Sequence, residues 1–463
     1  PLIDYQSPDI KYRELDLGSS FRNAGSYEEE FSKTAFSFNL NSRLNYYQYS
    51  FTEKYQGISS SLFMINLSSN PQKQNDVKFK SNFISTYIDY FTQSRIYNPN
   101  NVFWGIHAGS YYQFQRNAQK VDDDINDVNS NYVTIKPYFS LGKGRVQPVR
   151  SARTAMDILI SMNKYGRLKK QPSKEEINAL AIVANEIVYK RFYDNRFKYI
   201  YQLEELDKVL QAMDLIDTAD IVYFANLNDI WAYGNWQKRG SGKRFEGGFI
   251  PRYNGFYQNS RITSVNAEGK DKYLDYGLYG FISFNRFEPR SYAWQSDIFV
   301  DLTFGKSWTE ESEIFNSDDI NIEDYYSTSN SWNGMLNLSW QFSYFPNTRT
   351  RLSLTPFCSF SYQKVDEAEG FFGISTGMYF STYYYVSPRF RISALASVNY
   401  YNNFSIEAPA PFWNTFLYRD QITNSASNYG TTNDVVTRQF YQDDLLNSFL
   451  GYSLSFSISY AIF

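Results

Sequence analysis

The chain has 463 residues, among them 42 Tyr, 39 Phe and 8 Trp, and its 45 basic residues against 48 acidic ones leave a net charge of −3. So aromatic a composition excludes a disordered chain, and the charge gives no electrostatic reason to bind nucleic acid. A single cysteine, Cys358, and a single histidine, His107, exclude an internal disulfide and a His/Cys site for zinc, haem or an iron–sulfur cluster, so no cofactor is expected.

Length alone suggests two to four soluble domains, because hydrophobic cores rarely grow beyond about 250 to 300 residues. Composition argues otherwise, since Tyr, Phe, Ser and Asn dominate long stretches where a soluble core would be rich in Leu, Ile and Val. Apolar runs such as Ala179 to Ala184 are far short of the roughly 18 residues of a membrane-spanning helix. The opening Pro1-Leu2-Ile3-Asp4-Tyr5 has no Met and no basic region followed by an apolar segment, and reads as a start from which a signal peptide has been removed.

In chain order, strands are expected near 11–22, 32–50, 58–67, 79–96, 102–116 and 131–142. In the second, Phe36, Phe38, Leu40, Leu44 and Tyr46 alternate with Ser37, Asn39, Asn41, Arg43 and Asn45. A period of two places the first set on one face and the second on the other. After a helical stretch the pattern resumes near 245–260, 273–287, 291–305, 331–345, 350–363, 371–386, 390–404 and 447–463. Tyr292, Trp294, Ile298, Val300, Leu302 and Phe304 alternate with Gln295, Asp297, Asp301 and Thr303, and at the end Leu450, Tyr452, Leu454, Phe456, Ile458 and Tyr460 alternate with Gly451 and serines. Tight polar turns at Asn98–Asn101, Glu288–Ser291, Pro346–Thr348 and Ser387–Arg389 alternate with connections that are longer and often acidic.

Fourteen long strands with one apolar and one polar face, with aromatics near their ends, read as a transmembrane β-barrel: short turns in the periplasm, long loops outside. Only closure lets strands cross lipid without unpaired backbone. A soluble sandwich or propeller is the alternative, and it would have to explain why the exposed face is the aromatic one. Pro137 and Pro356 fall inside strands, where a residue without an N–H marks an irregular seam. The chain ends in Phe463, but its apolar parity runs through Ile462 and Tyr460, so it matches the usual barrel terminus only in part.

Between strands six and seven the alternation stops. The expected organisation is six strands in 1–147, a helical insert in 148–232 and eight strands in 233–463. One helix runs from Val149 to about Asn163. Ser173 and Glu176 form a capping box that opens a second, with Ile177, Leu180, Val183, Ala184, Ile187 and Val188 as its apolar stripe. A third carries Leu203, Leu206, Leu210 and Met213, and Asp217–Asp220 caps a fourth through Val222, Phe224, Leu227 and Trp231. Their stripes should pack on one another, and the strand count places the insert in the periplasm.

The run Gly142-Lys143-Gly144-Arg145-Val146-Gln147-Pro148-Val149-Arg150-Ser151-Ala152-Arg153-Thr154-Ala155-Met156-Asp157-Ile158-Leu159, with the later Lys190-Arg191-Phe192-Tyr193-Asp194-Asn195-Arg196, resembles the helical insertion of a family of Bacteroidota outer-membrane β-barrel proteins. The likeness extends more loosely over the whole chain. It implies location and architecture and brings no established reaction, ligand or catalytic residue.

For chemistry, His107 is the one candidate imidazole base. It lies on the inward parity of its strand with Gly105 and Gly109, at the periplasmic end, while Ser110 is on the opposite face. No nucleophile–base pair follows, and a structural hydrogen bond inside the lumen is expected in a protein that is not an enzyme. Val121–Asp127 and loop 308–330, with Glu310, Glu311, Glu313, Asp318, Asp319, Glu323 and Asp324, supply oxygen ligands without the spacing of a calcium loop, and read as solvated. Lys164, Arg167, Lys169, Lys170 and Lys174 form a basic patch on the insert. Apolar residues Trp413 and Phe416 stand in the longest outer loop, 405–446. The partner-docking candidates are Lys169, Lys170, Tyr199, Leu203, Trp413 and Phe416. The expected function is an accessory or scaffold subunit of an envelope complex that contacts outer-membrane lipid, lipopolysaccharide and other envelope proteins. A porin or uptake channel is the alternative.

Overall fold

The computed structural model describes residues 2, 5–28, 33–74, 77–122, 124–190, 195–234, 239–263, 266–316, 324–366, 370–387, 390–403 and 448–460. Fourteen strands are present: β1 (Ile10–Glu28), β2 (Lys33–Phe51), β3 (Tyr55–Gln74), β4 (Val77–Tyr97), β5 (Val102–Val121), β6 (Asp124–Pro148), β7 (Gly240–Ile262), β8 (Ala267–Pro289), β9 (Trp294–Asn316), β10 (Tyr325–Asn347), β11 (Thr350–Val365), β12 (Phe371–Ser387), β13 (Phe390–Asn403) and β14 (Ser448–Tyr460). They form one sheet in chain order, each antiparallel to the next. Among the described residues no pairing joins β14 to β1. Between β6 and β7 stand α1 (Arg150–Lys164), α2 (Lys174–Tyr189), α3 (Asn195–Ala212) and α4 (Ile221–Gly234). Among the described residues no helix is long and apolar enough to cross a membrane.

Burial divides the strands by parity, with the polar side buried. On β7, Arg244 and Glu246 are 2% and 3% exposed, whereas Phe245 and Phe249 between and beyond them are 51% and 63% exposed. On β6, Thr134, Lys136 and Ser140 are buried while Ile135, Phe139 and Leu141 are exposed. The sheet curls strongly enough for side chains several strands apart to meet over its polar face. Arg95 of β4 bonds Glu246 of β7, and Arg145 of β6 donates to the carbonyls of Thr52 and Glu53 between β2 and β3. The apolar face looks out.

Four strand prolines coincide with three breaks in the ladders. Pairing of β6 with β7 stops after Ile135↔Tyr253 and resumes at Phe139↔Phe249 without a change of register, so Pro137 and Pro251 face each other and neither can donate. Pro356 leaves a two-residue gap between β10 and β11, and Pro71 leaves one between β2 and β3. The expected seams are real; Pro251 shares the one at Pro137, and Pro71 makes a further one.

Most strands run further than their apolar stripe at the end away from the helices, because the added residues are polar on both faces and carry no period. Two expectations are corrected as a result. The connections at that end are not uniformly long: β3 ends two residues before β4 begins, and β5 likewise before β6. The acidic loops also shrink. Asp124 and Asp127 belong to β6, Glu310, Glu311 and Glu313 to β9, and only 317–323 of loop 308–330 lie outside the described residues. Loop 405–446, with Trp413 and Phe416, also lies outside them.

The helices have the expected boundaries to within a few residues. Ser173 accepts from the Glu176 N–H, and the Glu176 carboxylate accepts from the Ser173 N–H, closing the capping box. Asp220 accepts from the Tyr223 N–H at 3.0 Å and caps α4. Val149 at the cap of α1, Ala155, Ile158 and Met162 of α1, Leu180 and Ala184 of α2, Leu206 and Leu210 of α3, and Tyr223, Leu227 and Trp231 of α4 make a large apolar core, joined by Leu2 and Tyr5.

Where the chain leaves the sheet for these helices and returns, two glycines are obligatory. Gly144 has φ +98° and Gly242 φ +119°, and a Cβ on either would stand 2.3 or 2.2 Å from the carbonyl oxygen of Lys243 or Arg145. L side chains rarely adopt such φ values. The pair lets β6 and β7 lie close just before they diverge into the insert.

Candidate functional site

Two constellations occupy the polar face near the helices. The first is a knot around Glu246. Its Oε2 accepts from Arg95 Nε and Nη2 at 3.0 and 2.8 Å, and its Oε1 accepts from Ser140 Oγ at 2.6 Å and pairs with His107 Nε2 at 2.9 Å. Arg244 Nε stands 3.5 Å from Oε2. The sequence places all five residues at inward positions of β4, β5, β6 and β7, and Gly105 makes room for them. A Cβ there would lie 2.4 Å from Ser140 Oγ and 2.9 Å from His107 Nε2.

Ser, His and Glu occur together here without forming a nucleophile relay. In a relay the imidazole stands between hydroxyl and carboxylate and uses both ring nitrogens. Here Nε2 alone faces both, at 3.2 Å from Ser140 Oγ and 2.9 Å from Glu246 Oε1, and the hydroxyl also reaches the carboxylate directly. Nδ1 has no hydrogen-bond partner. The arrangement sets one buried carboxylate against the buried guanidiniums of Arg95 and Arg244. Sequence parity placed His107 correctly on the polar face, but its partner is 139 residues away.

The second constellation seats the helical bundle on the sheet. On one flank Tyr5 Oη lies 2.9 Å from Ser151 Oγ of α1, and the rings of Tyr12 on β1 and Tyr189 on α2 are 5.6 Å apart. On the other flank Tyr292, in the turn between β8 and β9, donates to Asp157 of α1. Arg153 is fully buried beside it, 3.4 Å from Asp157 and lying over the rings of Tyr292 and Phe345 at 4.5 and 5.2 Å. Arg349, between β10 and β11, donates to Asp229 of α4, and Tyr233 of α4 approaches Tyr385 of β12. The bundle thus touches β1 at one edge of the strand order and β12, two strands short of the other edge, and lies across the span between them.

Burial pushes the Asp157 carboxyl above the usual carboxylate range despite Arg153, and raises the Tyr292 hydroxyl as well. Arg239, where the chain re-enters the sheet, is lowered to about 10 by burial and so stays charged at neutral pH. It donates to the carbonyls of Ser291, Tyr292 and Trp294 and to Gln295, clamping the turn that carries Tyr292.

The docking candidates are spread apart. Lys169 pairs with Asp214 at 2.5 Å and Lys170 with Glu176 at 2.8 Å, while Arg167 forks onto Asp220; the basic patch is largely balanced by acids brought from elsewhere in the insert. Tyr199 donates to Asn228, tying α3 to α4, and Leu203 packs against the bundle core. Exposed apolar side chains occur on the bundle, at Phe197 and Ile200 of α3 and Ile221 and Phe224 of α4. Among the described residues no cluster of three or more His, Cys, Asp or Glu could hold a metal.

Sequence reasoning did not find Glu246, Arg95, Arg153, Asp157 or Arg239. One signal was available: Arg244 and Glu246 alternate with Phe245 and Phe249, which puts two opposite charges on the buried parity of one strand.

No family model matches this chain, and no curated protein does. Among solved structures it is similar to the ferric yersiniabactin uptake receptor FyuA from Yersinia pestis, at 6% identity over 86% of this chain, with a TM-score of 0.31; the chain spans 62% of that receptor. It is also similar to the translocator domain of the autotransporter NalP from Neisseria meningitidis, at 9% identity over 80% of this chain and 86% of that one, with a TM-score of 0.22.

Proposed function

We propose that the chain is an integral outer-membrane β-barrel without enzymatic activity, with a periplasmic mouth occupied by its own helical bundle and with a scaffold role in an envelope complex. The inverted burial of the strands carries this reading. A face of Leu141, Phe245 and Phe249 turned outward over buried Arg244 and Glu246 is stable only where the outer solvent is hydrocarbon. In lipid, β1 and β14 must then pair. They run antiparallel, as an even strand count requires, and this closure supplies partners for both edges.

A pore is the rival reading, and the seat of the bundle speaks against it. Contacts from Tyr12 on one flank to Tyr385 on the other leave the helices across the mouth. The buried Glu246 knot supports the absence of catalysis, since none of its groups is presented to a substrate. The exposed Phe197, Ile200, Ile221 and Phe224 give the bundle a surface for another envelope protein, a placement also implied by the resemblance of 142–159 to the Bacteroidota insertion.

Planar-bilayer recording tests the reading. The intact protein is expected to show no stable unitary conductance, and deletion of 150–234 is expected to open one. Steady conductance by the intact chain would favour the channel. Crosslinking from Phe197 or Phe224 replaced by a photoreactive residue is expected to capture one envelope protein specifically, and loss of that product on deletion of the helices distinguishes a scaffold from an isolated plug.

A further inference from the structure

Beside the Glu246 knot, two buried acceptors confront each other across a strand pair. Gln93 of β4 and His107 of β5 stand directly opposite in the ladder, on the buried parity, at 8% and 3% exposure. Side chains so placed have Cβ atoms about 5 Å apart. Among the described residues, Gln93 Oε1 and His107 Nδ1 are both buried without a hydrogen-bond partner. The row continues with Ile58 of β3 beside Gln93 and Tyr138 of β6 beside His107. The Tyr138 ring lies 6.2 Å from the imidazole.

The far side of the imidazole decides what Nδ1 can offer. Ser140 Oγ donates to Glu246 Oε1 at 2.6 Å, and His107 Nε2 lies 2.9 Å from the same oxygen. An ionised carboxylate accepts only, so Nε2 carries the hydrogen. Arg95 already meets the Glu246 charge through two hydrogen bonds, with Arg244 at 3.5 Å. A second proton on the ring would add a positive charge beside two guanidiniums. The ring is therefore neutral, and Nδ1 presents a lone pair to Gln93 Oε1, which presents lone pairs of its own. Two acceptors cannot bond each other, and each is costly to leave unpaired where it is buried.

One small molecule with two donors satisfies both. An ammonium ion has the donors but would bring its charge next to Arg95 and Arg244. Water has them without the charge, and buried waters typically make about three hydrogen bonds to groups otherwise unsatisfied. Room exists on the same face, because a Cβ placed on Gly109, on the inward parity two residues from His107, would meet nothing within 4 Å. Gln56 of β3, level with Arg95 and 2% exposed, has an unpartnered Nε2 while its Oε1 accepts from Tyr97 Oη at 3.1 Å. It adds a donor to this polar patch from one row nearer the helices.

We infer that a water molecule binds between His107 and Gln93, donating one hydrogen to Nδ1 and the other to Oε1. It completes the partners of the imidazole and holds the ring with Nε2–H aimed at Glu246. The inference depends on the polar face being closed over, and is independent of a scaffold role or an occupied mouth.

The chain has a single histidine, so isotope-labelled histidine gives one ring to observe in the full protein. Magic-angle-spinning NMR in lipid at neutral pH reads the protonation of each ring nitrogen and the transfer of magnetisation from water to Nδ1. With the ring 3% exposed, that transfer reports a bound molecule and not bulk solvent. The parent is expected to show a protonated Nε2, an unprotonated Nδ1 and strong transfer from water to Nδ1. Gln93→Met keeps the length of the side chain without its acceptor. It is expected to lose the transfer while Nε2 stays protonated, since a water left with one partner is not held. A protonated Nδ1 in the parent overturns the inference, because the ring would then donate to Gln93 directly. So does an unprotonated Nδ1 that receives nothing from water, and so does transfer undiminished in Gln93→Met. Should that variant fail to fold, the two readings on the parent decide.

Discussion

Replacing Glu246 by Gln isolates the charge of the buried knot from its volume. The carboxylate receives Arg95 through two hydrogen bonds on Oε2 and Ser140 and His107 on Oε1, all within 3.0 Å, with Arg244 at 3.5 Å. A glutamine offers one acceptor oxygen and turns its NH2 toward groups that are already donors. It also leaves the Arg95 and Arg244 guanidiniums without their counter-charge in a region where Glu246 is 3% exposed. Breaking a buried pair in this way costs about 3 to 5 kcal/mol. Since Gln opens no cavity, about 3 kcal/mol is the expected loss. Urea unfolding of the protein in lipid vesicles, followed by tryptophan fluorescence, measures it. Arg95→Gln alone is expected to cost a similar amount, and the double variant less than the two singles added, by roughly 2 kcal/mol. A loss below about 1 kcal/mol for Glu246→Gln, or strict additivity, would refute the claim that opposite buried charges hold β4 and β7 together.

Other outcomes follow from the same geometry. Gly144→Ala puts a Cβ 2.3 Å from the Lys243 carbonyl oxygen at φ +98° and should cost about 1 to 3 kcal/mol in the same assay, whereas Gly109→Ala, with open space around it, should stay within about 0.5 kcal/mol. The seat of α1 should depend on pH through Asp157. Its folded pKa is raised by burial, so the folded protein keeps a proton that the unfolded chain has already released. The stabilisation is complete below the ordinary carboxylate value and is lost as pH rises through the raised one. Hydrogen exchange in α1 should therefore be slower, after correction for intrinsic rate, at pH 4.5 than at pH 7.5, and a flat profile would contradict this.

Strand positions were legible because alternation is a local signal. Phe36 to Tyr46 and Leu450 to Tyr460 announce their faces without help from the rest of the chain, and all fourteen strands stand where that period put them. The helices were equally legible from Ser173, Glu176 and the stripe Ile177 to Val188. Strand ends were not, since residues such as Lys120 or Glu311 are polar on both faces once a strand leaves the apolar band. Nor were partners distant in sequence. Parity shows that His107 and Glu246 share a face, but only the curl of the sheet brings them within 2.9 Å. The acids beside the basic patch were hidden for the same reason, because Asp214 and Asp220 reach Lys169 and Arg167 from later in the insert.

The most direct measurement of which solvent the aromatic face meets is a cysteine scan along β7 in a Cys358→Ser background. Each site carries a fluorophore whose emission is quenched by brominated acyl chains in reconstituted vesicles. Positions 245, 247 and 249 should be quenched and positions 244, 246 and 248 spared, a period of two set by Phe245 and Phe249 facing outward. Quenching of neither set, or of the even set alone, would mean that hydrocarbon is not what surrounds these strands.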